Sequence, residues 1–221
     1  AEDFTFAQVD DLGQIEEKDF TDAHLDAVLA LPTVDVEAVR AAGFKVALDA
    51  VNSVGGIIMP RLLERMGVEC VCVNCEPTGE FAHNPEPLPS NLVELCEAVV
   101  ANGADFGISV DPDVDRLALI CENGQPFGEE YTLVSVADYL LSRIYNEALE
   151  TGKSIEEIAA PYQMVTSSNL SSSRALRDVT EQYGGEYCTA AVGEVNVTTK
   201  MREAGALIGG EGNGGVIYPA L

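Results

Sequence analysis

Basic residues are scarce in this sequence. The 221 residues include 12 Lys and Arg against 37 Asp and Glu, which gives a formal net charge of −25. A chain this acidic is repelled by nucleic-acid phosphates and by anionic membranes, so we predict neither a nucleic-acid partner nor a membrane partner. If the protein handles an anionic substrate, it must concentrate its few cationic side chains at one place or recruit a metal ion.

Long apolar runs are also missing. The sequence contains neither an apolar stretch of about 18 residues nor a basic segment followed by a short apolar one, so it predicts no transmembrane helix and no signal peptide. Hydrophobic residues make up 47% of the chain, which is enough to bury a core. We therefore expect a cytoplasmic globular protein of one or two domains.

Histidine is rare, and the cysteines do not form a familiar metal motif. His24 and His83 have no nearby Cys or Ser in the sequence, which argues against a nucleophilic triad. The six cysteines lie mostly in apolar segments, as expected of free thiols in a reducing cytoplasm. Cys72 and Cys75 form one C-x-x-C pair without a second pair, so burial in a strand is favoured over a zinc or redox role.

Aspartates, in contrast, are concentrated in the segment "SVDPDVDRLALI". Asp111, Asp113 and Asp115 alternate along the chain, and on an extended backbone alternate side chains point to the same side. Two such charges about 4 Å apart repel each other by roughly 4 kcal/mol near a protein surface. A bound cation would remove this repulsion. Oxygen ligands without nearby His or Cys favour Mg²⁺ or Ca²⁺ over zinc.

The aspartate loop has two other interpretations. A solvated acidic turn is the simpler one, but strict alternation followed by Arg116 favours a metal site. An EF-hand would place Glu122 at its twelfth position, but it needs Gly where this sequence has Arg116, and its flanks should be helical. Arg116 itself fits either a salt bridge to Asp115 or a contact with phosphate.

The order of predicted elements indicates an α/β protein. Residues 1–40 contain two short helices that we expect to pack with the first unit, and strands and helices alternate after them. We predict two consecutive three-layer α/β/α domains with mixed, mostly parallel sheets, at residues 41–122 and 123–221. In such sheets ligands bind beyond the carboxyl ends of the strands, where the aspartate loop lies.

A second loop with unusual composition, "GGEGNGG" at residues 209–215, also follows a predicted strand. Its glycines permit a close backbone approach to a ligand, and Glu211 and Asn213 could contact hydroxyl groups. The segment "TSSNLSSS" at residues 166–173 is interpreted as the start of a helix, with its hydroxyls serving as N-caps.

The segments "SVDPDVDRLALICENGQPFGEEYTL" and "GGEGNGGVIYP" resemble the α-D-phosphohexomutases, which include phosphoglucomutase, phosphomannomutase and phosphoglucosamine mutase. "ALDAVNSVGGIIMPRLLERMGVE" resembles the second domain of the same family. The resemblance implies that Asp111, Asp113 and Asp115 bind Mg²⁺ together with a phosphoserine. It also implies that Arg116 is a catalytic residue near the transferring phosphate and that Glu211 and Asn213 bind the hexose phosphate.

Parts of the family pattern are missing. Members have four domains, with the phosphoserine in a "TASHNP" loop of the first and a basic phosphate-binding loop in the last. The similar "FAHNP" at residues 81–85 has Ala82 before His83 and lies in the second-domain region, so it is not the nucleophile. We therefore expect an inactive central fragment, domains two and three, with the third incomplete at its C-terminus and domains one and four as partners. A noncatalytic acidic module that binds divalent cations is the alternative.

Overall fold

The computed structural model describes residues 4–221, which form two four-stranded sheets covered by helices. No helix within that range is both long and apolar enough to cross a membrane. The elements up to the end of the first sheet are α1 (Thr21–Leu29), α2 (Val36–Ala42), β1 (Lys45–Asp49), α3 (Gly55–Arg65), β2 (Glu69–Val73), α4 (Val93–Asn102), β3 (Phe106–Val110) and β4 (Leu117–Cys121). The remaining elements are α5 (Glu130–Thr151), α6 (Ile155–Ala159), β5 (Gln163–Asn169), α7 (Ala175–Gln182), β6 (Glu186–Ala190), α8 (Glu194–Ala204), β7 (Ala206–Gly210) and β8 (Val216–Ile217).

Both sheets are mixed and mostly parallel. The first has the order β2-β1-β3-β4 and the second has the order β6-β5-β7-β8, and in each only the last strand named runs antiparallel to its neighbour. The prediction of two α/β/α units with mixed sheets is confirmed. Strands β3 and β4 flank the aspartate loop, so the helix-flanked EF-hand is excluded.

The central strand β1 shows why helices cover both faces of the first sheet. Its residues alternate between two cores: Val46 and Leu48 pack with Leu63 of α3, whereas Ala47 packs with Leu95 of α4. All three strand residues are fully buried, which is typical of a parallel strand between two helical layers.

Helix α5 provides the largest apolar face of the second unit. Leu133, Val136, Leu140, Leu141 and Ile144 pack into one core cluster, because i, i+3, i+4 and i+7 positions share one face of a helix. The helix ends at a glycine with positive φ, Gly152.

The prediction for the serine-rich segment was wrong in part. A capping box between Ser154 and Glu157 begins the short helix α6, and strand β5, which follows it, extends through residues 166–169. Two of these hydroxyls are paired inside the fold, whereas the buried Ser167 hydroxyl has no hydrogen-bond partner among the described residues. The Thr166 and Thr180 hydroxyl oxygens are 2.6 Å apart, and those of Ser168 and Tyr187 are 2.8 Å apart.

The two N-terminal helices precede β1, and α1 forms two ion pairs with α3. Arg65 pairs with Asp26, and Arg61 lies 2.7 Å from Asp22. The turn after α1 also contacts the second unit, because the Tyr139 hydroxyl donates a hydrogen bond to the carbonyl of Thr33 over 3.0 Å. The limits that we predicted for the lead-in and the two domains stay predictions.

Candidate functional site

The aspartate loop is a tight turn between β3 and β4. It brings Asp111, Asp113 and Asp115 together so that one carboxylate oxygen from each lies within 4.8 Å of the others. The alternation of the aspartates predicted an extended backbone, and this detail was wrong: the segment turns, with Val114 at a φ of 64°. A positive φ is unusual for a β-branched residue, so the loop holds a strained backbone where the carboxylates converge.

Asp111 is the anchor of this loop. It is 5% exposed, and its Oδ1 accepts hydrogen bonds of 3.1 Å from the backbone N–H groups of Asp115 and Arg116. Burial, reinforced by repulsion from the neighbouring carboxylates, raises the pKa of Asp111 to about 6. The cluster is therefore costly when ionised without a cation, and its all-oxygen donor set fits Mg²⁺ or Ca²⁺.

Arg116 lies at the end of the loop. Its Nε is 3.7 Å from Asp111 and 3.8 Å from Asp115, which is too long for a direct hydrogen bond to either. The two interpretations of Arg116 from the sequence are therefore compatible in this geometry. The guanidinium partly offsets the acidic cluster while its side chain stays 35% exposed at the cavity described below.

Glu211 follows β7, at the carboxyl edge of the second sheet. Its Oε1 accepts hydrogen bonds from the Asn169 side-chain amide and, over 3.1 Å, from the backbone N–H of Gly193. Among the described residues, Oε2 has no hydrogen-bond partner. The carboxylate is thus held in place by one oxygen while the other can accept a bond from a ligand.

Asn169 was missed by the sequence analysis, which assigned its segment to a helix cap. It is 3% exposed at the end of β5, and its Oδ1 accepts hydrogen bonds from the hydroxyls of Ser171 and Ser172. Ser172 in turn accepts a 2.9 Å bond from the backbone N–H of Gly212. These polar groups position Glu211 and its loop. A polar run at the end of a predicted strand was the available signal.

The glycine loop and the aspartate loop are joined through the backbone. The N–H of Leu117 donates a 3.1 Å hydrogen bond to the carbonyl of Gly214, and Arg116 forms an antiparallel bridge with Gly215. Gly214 has a φ of 91°, and a Cβ there would lie 2.6 Å from the carbonyl oxygen of Leu117. Only glycine allows this approach without strain.

One cavity of about 310 Å³ opens between the two loops. Its lining includes Arg116, Glu211 and Asn213, together with Asp115 and the exposed Glu194 of α8. Asn213 also accepts a 3.1 Å hydrogen bond from the N–H of Gly215, which fixes its side chain. The structure therefore brings together residues that are almost a hundred positions apart, and Glu194 is a lining residue that the sequence analysis did not single out.

Comparison with known proteins accounts for this arrangement. The family model described as phosphoglucomutase/phosphomannomutase, alpha/beta/alpha domain II, matches residues 22–124, and that of domain III matches residues 136–220. The chain belongs to the phosphoglucomutase/phosphomannomutase family. The expected membership and the limitation to domains two and three are both confirmed.

Relatives of this family cover nearly the whole chain. A phosphoglucomutase/phosphomannomutase of Thermococcus kodakarensis is 34% identical over 220 residues, which are 99% of this chain and 44% of the relative. A phosphomannomutase/phosphoglucomutase of Pseudomonas putida is 28% identical over 96% of this chain and 40% of its own length. The chain thus spans less than half the length of these phosphohexomutases.

A solved structure of the same family has the same fold. The family protein of Burkholderia thailandensis superimposes with a TM-score of 0.73 at 25% identity, over 93% of this chain and 40% of that protein.

Proposed function

We propose that these residues form the magnesium site and the sugar-binding loop of a phosphohexomutase that interconverts hexose 1-phosphate and hexose 6-phosphate. The observation that carries the proposal is the junction of the two loops, in which the Leu117 N–H donates to the Gly214 carbonyl over 3.1 Å. This bond joins the two loops, and Asp115 of the aspartate cluster lines the same cavity as Glu211, so that both can act on one ligand.

In this proposal Asp111, Asp113 and Asp115 hold Mg²⁺. Bound there, the ion would supply positive charge that stabilises a phosphoryl group during transfer. Arg116 contacts the phosphate with its guanidinium, which donates several charge-assisted hydrogen bonds in a plane. Its distances of 3.7 and 3.8 Å to the neighbouring aspartates leave its donors available for this contact.

Glu211 and Asn213 orient the sugar. Glu211 Oε2 accepts a bond from a sugar hydroxyl, while Asn169 and Gly193 hold Oε1. A hydrogen bond to a charged group contributes roughly 1.5–3 kcal/mol, so loss of the carboxylate should weaken sugar-phosphate binding about 10- to 100-fold.

Calorimetric titration of the 221-residue chain tests this assignment. Mg²⁺ should bind weakly, because three carboxylates supply only part of the oxygen ligands that a hard cation needs. Asp113→Asn should abolish the binding, whereas Asp105→Asn, at the other end of β3, should leave it unchanged. With Mg²⁺ present, glucose 1-phosphate should bind, and Glu211→Ala should weaken the sugar phosphate without affecting Mg²⁺.

The opposite pattern would favour a noncatalytic module. Ca²⁺-selective binding that hexose phosphates do not influence would contradict the mutase proposal and support the acidic cation-binding alternative. Unchanged Mg²⁺ affinity in Asp113→Asn would show that the metal assignment is wrong.

We further propose that these 221 residues alone do not catalyse phosphoryl transfer. The reaction needs a phosphate donor and a cationic clamp, but the "FAHNP" segment has Ala82 where a nucleophilic serine would be required. Incubation of the purified chain with glucose 1-phosphate and a hexose bisphosphate should yield no 6-phosphate. Measurable product would contradict this expectation.

A further inference from the structure

The carboxyl end of strand β1 holds a charged group that the proposed function does not use. Asp49, the last residue of β1, is fully buried. Its Oδ1 accepts a 2.9 Å hydrogen bond from the backbone N–H of Val51, and its Oδ2 accepts one of 3.3 Å from the Asn74 side-chain amide. The Nε2 atom of His83 lies 3.0 Å from the same Oδ2. Among the described residues, no Lys or Arg forms an ion pair with Asp49.

Both ring nitrogens of His83 face oxygen atoms. Nδ1 lies 2.8 Å from the backbone carbonyl of Asn84, which can only accept a hydrogen bond. Nε2 faces the Asp49 carboxylate, which is also an acceptor when it is ionised. A neutral imidazole has one N–H group and can donate only one of these bonds, whereas the imidazolium donates both. With both nitrogens occupied, the ring is not free to act as a general base.

The histidine lies in a segment that is bonded to the turn after β1. Within that turn, the Asn52 carbonyl accepts a 3.0 Å bond from the Gly79 N–H, and the Asn52 side-chain amide donates over 3.3 Å to the Glu80 carbonyl. The turn is strained, since Val51 and Asn52 have φ values of 47° and 55°. A strained turn persists only while its surroundings hold it. The bonds to residues 78–84 therefore stabilise the turn.

We propose that His83 is a pH-sensitive clip, which fastens residues 78–84 to the turn at residues 49–52 when it is protonated and loosens them when it loses the proton. Histidine changes its charge between about pH 5 and 8. Loss of the charge leaves Asp49 buried without a cation and removes one of the two hydrogen bonds of the ring. The clip is therefore strongest at low pH and weakens as the pH rises.

Other titratable groups surround the clip, on its own segment and on the elements next to it: Glu80, Glu86, Glu94 of α4, Cys75 after β2 and Asp111 after β3. Glu94 accepts a 3.1 Å bond from the Asn74 amide that also donates to Asp49. Burial raises the pKa of Cys75 to about 12, so this thiol stays protonated. Burial also raises the pKa of Asp111 to about 6. Among these groups, Asp111 is thus the one whose titration could imitate that of a histidine.

The segment that His83 fastens reaches the edge of the candidate site. Burial and the charge of Glu130 raise the pKa of Glu129, Arg116 lowers it, and Glu86 raises it further. Glu86 follows the histidine by three residues, so the fastened segment carries a charge that acts on Glu129. Loosening of the clip would free this charge to move away from the cavity that Arg116 lines.

Hydrogen exchange of the Gly79 amide measures the clip, because this N–H loses its carbonyl partner when the segment detaches. After correction for the intrinsic exchange rate, protection in the wild type should fall roughly 3- to 10-fold between about pH 5.5 and about pH 7.5, as expected for loss of one hydrogen bond. His83→Gln offers Asp49 an uncharged N–H donor at every pH, so its protection should be equal at the two pH values. His83→Ala should lower protection at both.

His24 of α1 is the matched control, since it is the only other histidine in the sequence and is exposed. His24→Gln should keep the pH dependence of the wild type. Asp111 is intact in all three variants, so a dependence that persists in His83→Gln would belong to Asp111 and would overturn the proposal. Wild-type protection that does not change with pH, or unchanged protection in His83→Ala, would overturn it as well.

Discussion

Substitution of Asp111 by Asn should stabilise the metal-free protein while removing its response to Mg²⁺. The side chain is 5% exposed, and Asn keeps the Oδ1 acceptor for the two backbone N–H groups of residues 115 and 116. What it removes is a buried negative charge next to two other carboxylates. If Asp111 had only a structural role, its substitution would instead lower the free energy of unfolding.

The expected magnitude follows from the pKa of Asp111. Its value of about 6 in the fold, against 3.8 for an ordinary aspartate, means that ionisation is easier in the unfolded chain. Each pH unit corresponds to 1.36 kcal/mol, so the ionised group lowers the free energy of unfolding by about 3 kcal/mol at high pH. This shift is already net of the weak 3.7 Å pairing between Asp111 and Arg116, so the expected gain on substitution by Asn is about 3 kcal/mol.

Urea unfolding in the presence of a chelator measures this gain. The advantage of Asp111→Asn should be largest at about pH 8 and should shrink as the pH falls to about 4.5, because the folded wild type then takes up the proton and loses the charge. Mg²⁺ at 100 times its dissociation constant should stabilise the wild type by about 2.7 kcal/mol and the variant not at all. Asp105→Asn, an exposed control outside the cluster, should leave the stabilisation by Mg²⁺ unchanged. A variant that is less stable than wild type at about pH 8 would refute the reasoning.

Three further expectations concern the glycine loop and the surface charge. In urea unfolding, Gly214→Ala should lower the free energy of unfolding by about 2 kcal/mol more than Gly184→Ala does. Both glycines have positive φ, but only a Cβ at residue 214 would lie against Leu117. Asn169→Asp should lower the free energy of unfolding by about 2–4 kcal/mol at neutral pH, because it places a second carboxylate beside Glu211. This loss of stability should become smaller in acid, where both carboxylates take up protons. KCl should raise the urea midpoint of the wild type, because salt screens repulsion among 37 acidic and only 12 basic side chains; an unchanged midpoint would contradict this.

Local patterns predicted the fold well because the relevant signals lie close together in the sequence. The alternation of strands and helices indicated two α/β/α units. The aspartate cluster was also predictable, since Asp111, Asp113 and Asp115 lie within five positions. Even here the backbone differed, because the turn at Val114 has a conformation that its residue type disfavours.

Contacts between distant segments were not predictable in the same way. The sequence suggested that Glu211 binds a ligand but did not indicate that Asn169 and Gly193 hold its Oε1, because these three residues come from different strand ends and loops. The hydroxyls around Asn169 were assigned to a helix cap for the same reason: a serine-rich segment fits a cap locally, and only the buried pairs formed with α7 and β6 favour a strand.

The electrostatics of the cavity connect the composition of the chain with the proposed chemistry. Among its lining residues, Asp115, Glu194 and Glu211 carry negative charge and Arg116 carries positive charge, so the cavity without a metal is net negative. A hexose phosphate is itself an anion and would be repelled by this surface. Divalent charge at the aspartate loop would offset this excess of negative charge next to Arg116. In the proposed function, binding of glucose 1-phosphate should therefore require prior binding of Mg²⁺, and titration with and without the ion tests this.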